Sequence, residues 1–400
     1  MNSTNKLLAI LPDILRNAGD AINEMQLLRH LCRIHFCIAI SFIPLARLRN
    51  ARSLINKLYE EEKLKNMRPV LVPIPYLRVS ILMMSIVITP LIWILDKLKH
   101  FRIIYIRDSI FAFGPLLSRS LARKICVKIP YIPEDLEDEI LKGRRFISII
   151  YTLADRVALS KAKVVGVPSI LLLKKLTMRR RVIWNGNITL IPAGVDSEKI
   201  KIILKTYRMP KRNNYIVGFV GSLTLFQGVD ILVKAVARIK DLLDKPVKLL
   251  IVGDGPERRR IEALYKELNV HCNITGFVKH EDALKLLKTF DVVVLPRRRT
   301  STTEAVIPIK IIEAWALGVP VIATAHEVFK YMSLRDGEDI LLCEPDPEDV
   351  ANKILMILRD RELRLRLSER GRQLAKNYFY DEIVKNFLKV FVSVRKDDHV

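Results

Sequence analysis

Lys310 and Glu313 stand three residues apart at the start of an apolar run that continues to Thr324. The run follows a strand and a loop, so the helix it begins should face the carboxyl edge of a parallel sheet, where such sheets bind ligands. A carboxylate there can accept two hydrogen bonds from a vicinal diol such as a ribose. An i, i+3 ion pair between the two side chains is the competing reading, and pattern alone leaves both open. Gly218-Phe219-Val220-Gly221-Ser222 is a strand running into a tight turn, and Gln227-Gly228-Val229-Asp230 opens a helix. A glycine turn at a helix N-terminus presents backbone N–H groups and the positive end of a dipole, which suits a diphosphate. Glycine turns also serve packing alone. Gly253-Asp254-Gly255-Pro256 reads as such a structural turn, with Pro256 beginning the next helix. Ile191 to Asp196 is a turn that closes the first half.

These residues need a scaffold, and short apolar runs alternating with amphipathic stretches predict an α/β one. In the first half, strands are expected at Lys6–Leu11, His35–Phe42, Val70–Pro75, Arg102–Arg107, Ile125–Ile129 and Val164–Val167, and Val182–Pro192 closes the series. Helices are expected at Ala21–Arg33, Ala46–Lys65 and Ile147–Lys161. Residues 197–213 are polar and basic and read as a linker. A second series follows, with strands at Tyr215–Val220, Val247–Val252, Asn273–Gly276, Val292–Leu295 and Pro320–Ala323. The strand at Tyr215 is almost continuously apolar, as a parallel strand buried on both faces should be.

The chain has 400 residues, half of them hydrophobic, and a net charge of +24. That size fits two domains. The charge implies an anionic partner: phosphorylated ligands, an acidic membrane surface or nucleic acid. Basic clusters crowd the first half, as at Arg47, Arg49 and Arg52, at Lys97, Lys99 and Arg102, and at Arg179 to Arg181. No nucleic-acid-binding signature accompanies them, so no nucleic-acid partner is expected. Five scattered cysteines without metal spacing fit a reducing compartment. The start of the chain has no charged-then-apolar signal pattern, and a cytoplasmic protein is expected, peripheral on the inner face of a membrane. Val79 to Leu95 carries no charge. It is somewhat short against the ~20 residues of a spanning helix, and reads as a buried or membrane-facing one.

Taken in order, the second-half motifs resemble the donor-binding domain of the group 1 glycosyltransferases (family 4, GT-B fold). They run from the glycine turn with its Gln227-Gly228 element, through Gly253-Asp254-Gly255-Pro256, Gly276-Phe277-Val278 and a strand ending at Pro296, to Glu313-Ala314-Trp315-Ala316-Leu317-Gly318-Val319-Pro320. The resemblance covers residues 182 to 396, and the first half by layout alone. It implies a GT-B fold, two Rossmann-like domains with parallel sheets facing across a cleft. The implied organisation is an acceptor domain over 1–196, a linker over 197–213, a donor domain over 214–380 and a helix over 381–400 crossing back. The implied reaction moves a sugar from a nucleotide diphosphate donor to an acceptor hydroxyl, with retention. No metal or resident cofactor is expected, since the nucleotide sugar is a substrate. The acceptor is expected to be a lipid-linked or membrane-associated glycan.

The resemblance also assigns roles. Gly221 and the following turn belong at the donor diphosphate, Phe277 and Val278 at the base, and Glu313 at the ribose. Gly19 would approach the donor phosphates from the other domain. Ser222 and Gln227 stand where the family often has Arg and Lys. The first glutamate of the family's paired-glutamate motif falls at Ala305, with Glu304 one residue off. Pro308-Ile309-Lys310 resembles a branch with a lysine before the second glutamate. Lys310, with one of Arg297 to Arg299, is therefore the expected source of charge. Asp108 is the candidate for a polar residue near the acceptor, beside its plain reading as a helix cap. An epimerase or phosphorylase on the same fold, or a non-catalytic membrane-associated glycan-binding subunit, are the alternatives.

Overall fold

A computed structural model describes residues 6–11, 19–44, 66–74, 79–132, 145–182, 187–207 and 212–394. The helix expected at Ala46–Lys65 lies outside them. The chain divides into two compact units, Met1–Gly194 with Tyr380–Val400, and Val195–Phe379.

The first unit is a seven-stranded, wholly parallel sheet. Its strands are β1 (Lys6–Leu11), β2 (Phe36–Pro44), β3 (Met67–Ile74), β4 (Ile103–Arg107), β5 (Ile125–Lys128), β6 (Val164–Val167) and β7 (Asn187–Leu190), in the order β3-β2-β1-β4-β5-β6-β7. Strands β4, β5 and β6 are buried along their whole length, which is why they read as unbroken apolar runs. The helices are α1 (Gly19–Ile34), α2 (Val79–Lys99), α3 (Ser109–Leu116), α4 (Arg119–Ala122), α5 (Arg145–Lys161) and α6 (Ile170–Arg180). The C-terminal helix, Tyr380–Ser393, joins this unit. Its Ile383, Val384, Phe387 and Phe391 are buried in a core shared with Leu28 and Leu31 of α1. Each such side chain withdrawn from water stabilises by about 1.5–3 kcal/mol.

The second unit is a six-stranded parallel sheet, β8 (Tyr215–Val220), β9 (Val247–Val252), β10 (Cys272–Ile274), β11 (Val292–Leu295), β12 (Val321–Thr324) and β13 (Leu341–Cys343), in the order β10-β9-β8-β11-β12-β13. Its helices are α7 (Ser197–Thr206), α8 (Val229–Ile239), α9 (Arg258–Glu267), α10 (His280–Lys288), α11 (Ser301–Ala305), α12 (Ile309–Leu317), α13 (Glu327–Tyr331), α14 (Pro347–Arg359) and α15 (Arg361–Ala375). Strand order reverses at the β8–β11 pair, and the loops after both strands therefore open at the same point of the sheet's carboxyl edge.

Residues 197–206, read as part of a linker, form helix α7. Asp196 caps it, its Oδ1 accepting from the backbone N–H of Glu198 at 2.9 Å and of Lys199 at 3.2 Å. Ile200 and Ile203 sit three residues apart and are buried, so a basic surface hid an amphipathic helix. The uncharged run at Val79 is the body of α2. Among the described residues no helix is long and apolar enough to cross a membrane.

Candidate functional site

The β8–β11 switch gathers most of the expected donor residues in one place. Gly221 follows β8 with φ 139°, a conformation that side-chain-bearing residues rarely adopt, and a Cβ there would collide with the Lys310 ammonium. Lys310 reaches this turn from the first turn of α12. Its Nζ donates to Gln227 Oε1 at 3.3 Å and lies 4.8 Å from the centre of the Phe219 ring. Lys310 as a residue keeps partial exposure. Burial, and behind it the positive charge of Arg297, lower its pKa to about 7 against the pull of Glu313.

Arg297 enters from the loop after β11, its guanidinium 5.7 Å from the centre of the Phe226 ring. Burial lowers its pKa to about 10, and among the described residues its Nε has no hydrogen-bond partner. Arg298 and Arg299, expected as alternatives, are engaged elsewhere. Arg298 forms a two-point pair with Asp230 at 2.9 and 2.7 Å, and Arg299 grips Glu344 at 2.7 and 2.9 Å. The charges of Lys310 and Arg297 repel, the Lys310 ammonium hydrogen-bonds to an amide oxygen, and the carboxylate that attracts it, Glu313, is itself bonded to His280. Buried like charges without a bonded counter-anion are costly unless a ligand supplies one.

Glu313 is buried on α12, one turn beyond Lys310. The two do not form the i, i+3 ion pair. Glu313 Oε1 instead lies 2.6 Å from His280 Nε2, which comes from the start of α10. Sequence reasoning missed His280. It stands two residues after Val278 but 33 positions before Glu313, and only the fold joins them. Phe277 is 70% exposed and Val278 half-buried beside it, so the Phe277 ring is open to stack on a flat ligand. Gly228, with φ 69°, opens α8. Ser222 is exposed.

Ala305 is buried. Glu304 is used structurally, accepting from the Glu327 backbone N–H at the start of α13 and from Arg299. Neither supplies a free carboxylate in place of the family's first glutamate.

Two expected residues belong to the first unit. Gly19 begins α1. Asp108 follows β4 and caps α3, its Oδ1 accepting from the Ile110 N–H at 3.2 Å. The helix-cap reading is therefore realised. Asp108 is also buried at φ 80°. Burial pushes its carboxyl pKa up, against the Ile110 bond and the charge of Arg107.

Two doubly wound parallel sheets, each followed by helices, define the GT-B class, and solved structures agree. The chain superimposes on sucrose-phosphate synthase from Thermosynechococcus elongatus with a TM-score of 0.71 at 19% identity, covering 98% of this chain and 99% of the other. It superimposes on Anabaena Alr3699/HepE, solved in complex with UDP, with a TM-score of 0.71 at 16% identity, covering 97% of this chain and 100% of the other. Residues 205–374, within the second unit, match the family described as glycosyl transferases group 1. N-acetyl-alpha-D-glucosaminyl L-malate synthase of Bacillus anthracis is 30% identical over 51% of this chain and 48% of its own length. The lipopolysaccharide core biosynthesis glycosyltransferase LpsE of Rhizobium meliloti (strain 1021) is 31% identical over 52% of this chain and 59% of its own length. The chain spans about half the length of the curated relatives it matches.

Proposed function

We propose that the protein transfers a sugar from a nucleoside diphosphate donor to an acceptor hydroxyl, with retention of configuration, and that the donor binds at the β8–β11 switch of the second unit. The observation that carries this is the pair of neighbouring cations, Lys310 at the Gly221 turn and Arg297 from the loop after β11, neither hydrogen-bonded to an anion among the described residues. A diphosphate seated there supplies one. It gains charge as the glycosidic bond breaks, so the same cations stabilise the transition state more than the ground state. Glu313 accepts from the ribose hydroxyls, and Phe277 with Val278 flanks the base. Asp108 serves the acceptor. The acceptor is a lipid-linked or membrane-associated glycan at the cytoplasmic face of an anionic membrane. Relatives named for lipopolysaccharide core and capsular polysaccharide biosynthesis support that class.

Calorimetry with UDP and GDP tests the donor site. Glu313→Ala loses a charge-assisted pair to the ribose, so its affinity is expected to fall by roughly ten- to a hundredfold, about 1.5–3 kcal/mol. Unchanged affinity in a folded variant reduces Glu313 to a partner for His280. Release of free sugar from the donor, or its transfer, separates an enzyme from a glycan-binding subunit.

A further inference from the structure

Helix α2 of the first unit is apolar on both sides, yet only one side is covered. Its inner stripe is Ser85, Ile88, Ile92 and Asp96, all buried. Its outer side presents Ile86, Val87, Leu91, Trp93, Ile94 and Leu98 to solvent, with exposures from 45% to 69%. A helix apolar all round is ordinarily buried, and a contiguous exposed patch of this kind marks an interaction surface.

The helix is fixed in place. Gly114 of α3 packs so closely that any Cβ there would strike the Ser85 carbonyl, and the Gly114 N–H donates to Ser85 Oγ at 3.3 Å. Near the other end Asp96 takes both a 2.7 Å ion pair from Lys124 and the Phe101 N–H at 3.1 Å. With polar anchors on its inner stripe the helix cannot leave the domain to span a bilayer. It can only lie flat with its outer side down.

The charge at its end indicates what covers that side. Lys97 is exposed in the last turn on the outer side, and its Nζ sits 5.5 Å from the centre of the Trp93 ring. Aliphatic side chains flanked by a tryptophan and a long cation match a membrane interface, with the apolar groups among the acyl chains and the ammonium at anionic headgroups. A second copy of this chain fits poorly, because each carries a net charge of +24.

We propose that the outer side of α2, centred on Leu91 and Ile94 and bordered by Trp93 and Lys97, seats the first unit in the plane of an anionic lipid leaflet. The inference deepens the membrane-associated part of the proposed function and does not depend on the reaction.

Sedimentation of the full chain with vesicles of phosphatidylcholine containing a quarter phosphatidylglycerol, without nucleotide, tests it. The Leu91→Ser, Ile94→Ser double variant should lose at least about tenfold in partitioning while its thermal midpoint stays at the wild-type value. Lys97→Gln should lose about fivefold on these vesicles, an effect that added salt erases. Wild-type partitioning by the folded serine variant overturns the proposal, as does equal, salt-insensitive binding to pure phosphatidylcholine. A wild-type dimer that the serine variant disperses would assign the surface to a second copy and likewise overturn it. Nucleotide affinity, measured separately, reports on the transfer reaction and is independent of every one of these outcomes.

Discussion

Each unit buries a lysine and an arginine near the carboxyl ends of its strands, and the two pairs are treated differently. In the first unit Lys128 and Arg107 converge on one carboxylate, Glu24 Oε2, at 2.9 and 3.5 Å, while Tyr105 donates its hydroxyl to the other oxygen. Burial alone would raise the Glu24 pKa, but the charges of Lys128 and Arg107 and the Tyr105 bond hold it below the ordinary carboxylate value. In the second unit the charges of Lys310 and Arg297 repel, the Lys310 ammonium donates to the amide oxygen of Gln227, and burial depresses both. A closed charge network is architecture. An open one of the same residue types, at a switch point, is a place for a ligand. The cations are alike, and the difference is that Glu24 bonds both of its cations whereas Glu313, the carboxylate that attracts Lys310, bonds His280 instead.

The largest effect should come from opening the closed network. Glu24→Gln removes the anion that two buried cations share, and is expected to destabilise the first unit by about 3–5 kcal/mol. Chemical denaturation measures it. A loss under about 1 kcal/mol would mean that the network relaxes easily and that the contrast between the units is weaker than the geometry implies.

Removing a cation from the open network should do the opposite to stability and should injure function. Lys310→Ala deletes a charge depressed by burial and hydrogen-bonded to no anion among the described residues, so the ligand-free protein should be as stable as wild type or more so. Turnover with a competent donor should fall by about a hundredfold, as when one preorganised oxyanion donor is lost. The titration of Lys310 sharpens this further. Its ligand-free pKa of about 7 lies below the ordinary 10.5. Between those values the unfolded chain therefore holds the extra proton, and stability should rise with pH through that window. A bound diphosphate favours the ammonium, so binding above pH 7 should take up as much as one proton and weaken as pH rises. Calorimetry in buffers of different ionisation heat counts that proton. Zero uptake, or uptake unchanged in Lys310→Ala, would remove Lys310 from the phosphate site.

Much of this contrast is invisible in the sequence. The two series of strands and helices are legible because parallel strands buried on both faces leave unbroken apolar runs, as at Tyr215–Val220 and Val292–Leu295. Short elements are not: β13 has three residues, and α11 and α13 have five each. Helix α6 was hidden because its lysines and arginines read as surface charge, although Leu171, Leu172 and Leu176 are buried. The site divides in the same way. Lys310 and Glu313 are close in sequence and were found together. Arg297, Arg298 and Arg299 are identical in type, and what separates them is Asp230 and Glu344, far along the chain. His280 reaches Glu313 only because α10 and α12 lie side by side.

The smallest stability effect, and the finest test of how far the first unit takes part, is Asp108→Asn. Asp108 holds a positive φ that most residues avoid, and its carboxylate accepts from the start of α3. Asparagine has nearly the same shape as aspartate, so it meets the same backbone strain, and it is as good an N-cap. The substitution therefore preserves both structural duties and should change stability by no more than about 0.5 kcal/mol. It removes only the ability to carry charge or a transferable proton. Backbone strain held at a strand end is a reason to look for function there, and so is a buried carboxyl whose pKa is pushed up. If that carboxyl acts on the acceptor, turnover should fall by a hundredfold or more, roughly the worth of one positioned proton-transfer group. Nucleotide affinity should stay unchanged, because the donor residues sit in the other unit. Full turnover in Asp108→Asn would leave Asp108 as the cap of α3 and nothing more. The open charges of the second unit would then have no counterpart of this kind in the first.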